Sequence, residues 1–156
     1  MSPFQSLRDY EVFVYTLAKQ FPSVSGSTLI IAQRGRRYAE LSGEVIFADG
    51  FGLSVYERLT WETGRLSIEG YSYEGWKAGD RLYWYDSQPH PDDMTLQSTH
   101  PHHKHVPPNI KRNRTPAPNV SFEQPNLPSL YRRDRGAHWV GSWCLLLTLT
   151  RQHGII

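Results

Sequence analysis

The distribution of proline limits most strongly how this chain can fold. Nine of its eleven prolines lie between residues 88 and 128. Proline lacks an amide donor and fits neither a helix interior nor a central strand. The sequence therefore predicts a long loop over this segment, supported by a domain that the preceding residues build. Loops of this length are uncommon unless they are functional or disordered.

The residues before this segment predict an α+β domain. Apolar side chains recur at steps of three and four over residues 3–21, which indicates a helix. Residues 27–87 show the apolar and polar alternation of β-strands joined by short turns. We therefore expect an N-terminal helix packed on an antiparallel β-meander of four to five strands. With 156 residues in all, the chain predicts one domain, over residues 1–130, and an atypical tail over 131–156.

Charge and cysteine content point to the cytoplasm. The net charge of +2 does not by itself require a nucleic-acid partner. The single cysteine, Cys144, fits a reducing compartment. The N-terminus has no signal-peptide pattern, and no stretch reaches the roughly 18 apolar residues of a membrane helix. The sequence thus predicts a cytoplasmic protein without membrane association.

Histidine is concentrated in the proline-rich segment. Five of the seven histidines fall within residues 90–105, together with Lys104. Imidazole changes its charge near neutral pH, so such a group can move protons, bind a metal or hold a phosphate. The cluster predicts catalysis or ligand binding.

Cleavage of RNA through its own 2′-OH is one reaction that this cluster could support. The reaction needs a base, an acid and a cation for the charge on phosphorus. Imidazoles and an ammonium group supply these without a metal or another cofactor. Which histidine is the acid and which the base stays open. The central candidates are His102, His103, Lys104 and His105, supported by His90, His100 and Asp86.

Further residues could bind the RNA itself. Lys111, Arg112 and Arg114 form a basic run that would attract the phosphate backbone. Tyr73 and Tyr85 could stack on bases. Strict alternation along their strands places Tyr71 and Tyr73 on the face opposite Leu66 and Ile68.

Other interpretations of the cluster differ in class. Imidazoles also bind transition metals, but Lys104 in the middle of the group would repel a cation, so we predict no evolved metal site. The histidines could also belong to a solvated polar loop, an interpretation that we place below a functional one because five of them cluster. Alternatively, the protein is a non-catalytic module that binds nucleic acid or a partner protein through its basic and aromatic surface.

Three segments resemble the TumE family of prokaryotic toxins. They are 84–90 (WYDSQPH), 101–105 (PHHKH) and 125–128 (PNLP), and the similarity covers about residues 5–130. Many members carry arginine where this chain has Trp84; if that arginine contacts phosphate, this chain needs a substitute. The resemblance implies a toxin encoded beside a helix-turn-helix antitoxin, whereas ribonuclease activity is our inference from the residues.

The C-terminal residues depart from this family pattern. Similar members end in a short acidic amphipathic helix, but here a basic and then apolar sequence follows Leu130. Codons compatible with residues 131–140, translated one nucleotide later, can encode such an acidic helix and a stop. We therefore predict that residues after about 130 are a frameshifted tail. The alternative is that residues 143–150 form a genuine final strand.

Overall fold

The computed structural model describes residues 4–132, which form one antiparallel β-sheet with short helices. The helices are α1 (Leu7–Tyr15), α2 (Leu17–Gln20) and α3 (Leu127–Arg132), with a 3₁₀ helix at Met94–Thr99. The strands are β1 (Val24–Ser27), β2 (Ile30–Gln33), β3 (Tyr38–Phe47), β4 (Phe51–Thr60), β5 (Ser67–Lys77), β6 (Asp80–Asp86), β7 (His103–His105) and β8 (Arg114–Pro116).

The sheet extends further than the predicted meander. Its strand order is β1-β3-β4-β5-β6-β7-β8, and β2 also pairs with β3. All pairings are antiparallel. The consecutive strands β3 to β6 are the meander that the alternation predicted. The described residues contain eight strands rather than four to five, because short strands were added at both ends of the sheet.

The predicted N-terminal helix is present but interrupted. Ser6 and Asp9 form a capping box that fixes the start of α1. The helix ends at Thr16, whose hydroxyl donates a hydrogen bond to the carbonyl of Val12. Tyr10 and Val14 of α1 are buried, so the apolar face expected from the sequence does contribute to the core.

A β-bulge in β5 changes which side chains face the core. Leu59 pairs with Ile68, but Arg58 pairs with Gly70, so Glu69 is the extra residue. Beyond the bulge the alternation is shifted by one residue. Tyr71 and Tyr73 are therefore buried, like Ile68. The prediction that these tyrosines lie on the opposite face was wrong.

The chain divides into two compact units, residues 1–125 and 126–156. The structure describes the second unit only as far as Arg132. The predicted frameshifted tail and the alternative final strand at 143–150 lie outside the described residues, and both stay predictions.

Candidate functional site

The histidine-rich string lies in the sheet rather than in a loop. His103–His105 forms β7, which pairs with the end of β6 in the register Asp86–His103, Tyr85–Lys104 and Trp84–His105. β8 then pairs with the other edge of β7. The prolines are compatible with this arrangement because Pro101 and Pro107 flank β7, and Pro116 lies on the edge strand β8. The prediction of a structureless loop was therefore wrong here.

Alternation along β7 separates the predicted catalytic residues. Successive side chains of a strand point to opposite faces of the sheet. His103 and His105 share one face with their cross-strand neighbours Asp86 and Trp84. Lys104 projects from the other face, beside Tyr85. The expected convergence of Lys104 with the imidazoles does not occur.

His103 and His105 form a buried imidazole pair. Their exposed fractions are 0% and 2%, and their Nε2 atoms are 3.0 Å apart. The Nδ1 atom of His103 is 3.0 Å from the carbonyl of Pro101, so it carries a proton and donates to that oxygen. With the proton on Nδ1, the Nε2 atom of His103 can accept a hydrogen bond from the Nε2–H of His105.

Asp86 completes this cluster on the β6 side. One coordinating atom each from Asp86, His103 and His105 lies within 4.8 Å of the other two. The Oδ1 atom of Asp86 also accepts a hydrogen bond from the Gln88 amide at 3.0 Å. His103 and His105 are buried and Asp86 is half-buried; we call the three residues the buried triad after its two histidines.

An open cleft lies beside the buried triad. Its volume is about 510 Å³. The half-exposed ring of His90 meets the ring of His103 edge-on, with centroids 4.8 Å apart. Arg114 of β8 pairs with His105 and so belongs to the same face of the sheet. The lining residues are Pro89, His90, Pro91, Asp92, Asp93 and Arg114.

The environment favours neutral imidazoles at this site. Burial lowers the pKa of His105 to about 4; His103 and, to a lesser extent, Arg114 act in the same direction, whereas the Ile110 backbone and Asp86 act in the opposite one. Burial also lowers the pKa of His90, with Arg114 and His103 acting in the same direction. A neutral imidazole has one nitrogen lone pair that can accept a proton or bind a metal.

The opposite face holds the other members of the predicted cluster. The Lys104 ammonium lies 4.8 Å and 5.1 Å from the ring centroids of Tyr83 and Tyr85, a cation–π arrangement. His102 stacks on Tyr71, and its Nδ1 atom is 2.9 Å from the tyrosine hydroxyl. These contacts give Lys104 and His102 partners away from the cleft.

The predicted RNA-binding residues have different environments. Tyr73 and Tyr85 are 0% and 6% exposed, so they cannot stack on bases from solvent, and that assignment was wrong. Lys111 and Arg112 are exposed in the connection between β7 and β8, and His100 is exposed before β7. Of the basic run, Arg114 is the residue that lines the cleft.

Sequence reasoning missed a buried carboxylate on the helix-covered face. Glu57 is 0% exposed and accepts hydrogen bonds of 2.6 Å from the hydroxyls of both Tyr10 and Tyr73. A signal was present in the sequence: Glu57 occupies an inward position of β4, between Val55 and Leu59. A carboxylate at such a position needs buried donors.

The lowered pKa of His105 predicts a pH-dependent stability. In the unfolded chain this imidazole binds a proton below about pH 6.5, whereas in the folded protein it does so only near pH 4. Between these values the unfolded state binds more protons, so stability falls as the pH is lowered. We expect a loss of roughly 1–2 kcal/mol from pH 6.5 to 4.5, measured by urea unfolding.

The variant His105→Gln is the control for this titration. Asp86, His103 and Arg114 face position 105 in both proteins, so the variant differs from the wild type mainly by the missing imidazole. The variant should lose less stability than the wild type over the same interval. Equal losses would mean that His105 is not the responsible group.

The fold and the site define a small α+β protein with a histidine-rich centre at one end of an antiparallel sheet, beside an open cleft. The chain belongs to the toxin TumE family, whose model matches residues 14–134. This match confirms the resemblance found in the sequence and identifies the chain as a toxin that has an antitoxin partner. No curated protein and no solved structure matches the chain. In the described part of the chain, no helix has the length and apolar character needed to cross a membrane.

Proposed function

We propose that this toxin cleaves RNA in the cleft beside the buried triad, with His90 as the base and Arg114 as the phosphate-binding group. The observation that most supports this is that an imidazole with a lowered pKa and a guanidinium line the same open cleft. A neutral imidazole is suited to accept a proton near pH 7, and a guanidinium is suited to bind a phosphate.

The proposed reaction uses the ribose adjacent to the cut. His90 takes the proton of the 2′-OH as that oxygen attacks phosphorus, while Arg114 stabilises the negative charge on the phosphoryl oxygens. The imidazolium of His90 then returns the proton to the 5′ oxygen of the leaving strand. The products are a 2′,3′-cyclic phosphate and a 5′-hydroxyl, and the protein regains its initial protonation state.

His103 and His105 act as positioning residues in this proposal. Both are buried, so neither reaches a substrate directly, but the His103 ring contacts His90. Their mutual hydrogen bond and the Pro101 carbonyl fix the orientation of the His103 ring. Because the His103 ring is fixed, it limits the orientations of the His90 imidazole beside the cleft. This restriction favours a productive geometry for proton transfer.

Other residues of the basic run would guide the RNA. Exposed Lys111 and Arg112 precede Arg114 in the chain and add positive charge near the start of β8. Arg114 also supplies a guanidinium on the face where Trp84 replaces the arginine of many family members. We further propose that the toxin acts in the cytoplasm and that its antitoxin is a helix-turn-helix protein.

The test uses an RNA oligonucleotide whose products are resolved by mass spectrometry. We expect cleavage in the presence of EDTA, because the mechanism needs no metal, and a 2′,3′-cyclic phosphate at the new end. An oligonucleotide with 2′-deoxyribose at the cut position should stay intact, since it lacks the nucleophile. Cleavage of that control, or binding without cleavage, would overturn the proposal. The second of these outcomes would identify a non-catalytic binding module.

A further inference from the structure

We propose that the buried triad of Asp86, His103 and His105 is a binding site for a divalent transition-metal ion of the Zn²⁺ class. One coordinating atom of each residue lies within 4.8 Å of the other two. Two imidazoles and a carboxylate are a common set of ligands for such ions. In the proposed RNA cleavage His90 and Arg114 act directly, and His103 and His105 only position His90, so metal binding by the triad can be tested without measuring cleavage.

The distance between the two imidazole nitrogens is close to the distance between two ligand atoms of one metal ion. Ligand atoms at about 2.0–2.1 Å from a tetrahedral Zn²⁺ are separated by about 3.3–3.4 Å. The Nε2 atoms of His103 and His105 are 3.0 Å apart. A movement of a few tenths of an ångström would therefore replace the proton that they share with a metal ion.

The groups around the triad support this role. Metal-binding histidines usually donate their second ring N–H to a carbonyl or carboxylate. His103 does so, because its Nδ1–H donates to the carbonyl of Pro101 at 3.0 Å. The carboxylate of Asp86 is also held by a hydrogen bond, which it accepts from the amide of Gln88. The buried Nδ1 atom of His105 has no such partner at ordinary hydrogen-bond geometry among the described residues, so this support comes from His103 and Asp86.

Strand pairing and ring stacking hold the triad in place. All three residues lie on paired strands, and the Asp86–His103 pair is directly cross-strand. The indole of Trp84 stacks on the His105 ring, with centroids 4.3 Å apart and planes at 14°. Ligands held in place before binding lose little conformational freedom when the ion arrives.

In the sequence, Lys104 argued against a metal site because its charge would repel a cation. Its position in the structure removes this argument. Its ammonium lies over Tyr83 and Tyr85 on the other face of the sheet. Arg114 lies on the face of the triad, and its positive charge opposes the binding of a cation. Affinity must then come from bonding to imidazole, which favours Zn²⁺ and related ions over Mg²⁺ and Ca²⁺.

The experiment measures metal binding by the full chain without a histidine tag. Zn²⁺ alone is titrated in a calorimeter, and Co²⁺ is added separately as a spectroscopic probe. We expect saturable binding of one ion per chain and the visible absorption of Co²⁺ in a site with nitrogen and oxygen ligands. His105→Gln and Asp86→Asn should each weaken Zn²⁺ binding by about 100-fold or more.

The matched control is His102→Gln, which removes an imidazole from the opposite face and should leave Zn²⁺ affinity unchanged. The inference is overturned if the wild type binds no ion saturably, or if both triad variants bind Zn²⁺ as tightly as the wild type. Circular dichroism establishes that each variant is folded. RNA cleavage is measured in separate samples, so a negative result for one proposal does not decide the other.

Discussion

Replacing His90 with alanine is expected to reduce RNA cleavage by about 100-fold or more, the usual contribution of a positioned base. The imidazole is half-exposed on the cleft that Arg114 also lines. Because the side chain is not part of the core, the free energy of unfolding should change by no more than about 0.5 kcal/mol. Initial rates on one RNA oligonucleotide and urea unfolding measure the two effects.

A substitution of His102, on the other face of the sheet, tests whether His90 or the residue predicted from the sequence is needed for cleavage. His102→Gln removes the imidazole that stacks on Tyr71, and it should leave the cleavage rate within about twofold of the wild type. If His102→Gln abolishes cleavage and His90→Ala does not, the active residues lie on the opposite face. Growth inhibition in cells that express each variant should follow the same order.

Replacing Glu57 with leucine is expected to destabilise the protein by about 2–4 kcal/mol. The carboxylate accepts hydrogen bonds from two buried tyrosine hydroxyls, on Tyr10 and Tyr73. Leucine would remove this acceptor from both hydroxyls, and the loss of one partner of a buried hydrogen bond costs about 1–3 kcal/mol. The change appears as a lower midpoint in urea unfolding, at an unchanged slope.

Two further variants test the hydrogen-bond explanation. Glu57→Gln keeps an acceptor oxygen at nearly the same volume, so it should lose less stability than Glu57→Leu. Adding Tyr10→Phe and Tyr73→Phe to Glu57→Leu removes the two hydroxyls that bound the carboxylate. This triple variant should recover part of the lost free energy of unfolding. No recovery in the triple variant would show that packing, rather than the hydrogen bonds, sets the effect.

Glu57 and the buried triad lie on the two faces of one sheet. Glu57 connects α1 to β4 and β5 on the core face. The buried triad and the cleft lie on the other face, at the end of the sheet where β6, β7 and β8 pair. Stability and the proposed chemistry should therefore respond separately to substitution.

The sequence by itself determined the elements whose signals are local. Alternation identified the meander of β3 to β6, and apolar spacing identified the N-terminal helix. The segments 84–90, 101–105 and 125–128 identified the family. These signals depend on neighbours in the chain, because the periods of strand and helix are set by backbone geometry. The concentration of histidine also directed attention to His103 and His105, which the structure places together.

Only the tertiary structure decided which side chains meet. Pairing of β7 with β6 placed Lys104 and His103 on opposite faces and put Asp86 beside His103. The bulge at Glu69 reversed the orientation expected for Tyr71 and Tyr73. Strand register and bulges depend on partners distant in sequence, and a shift of one residue exchanges the two faces of a strand. The run of histidines around Lys104 could therefore indicate that a site exists. It could not show which of these side chains lie together.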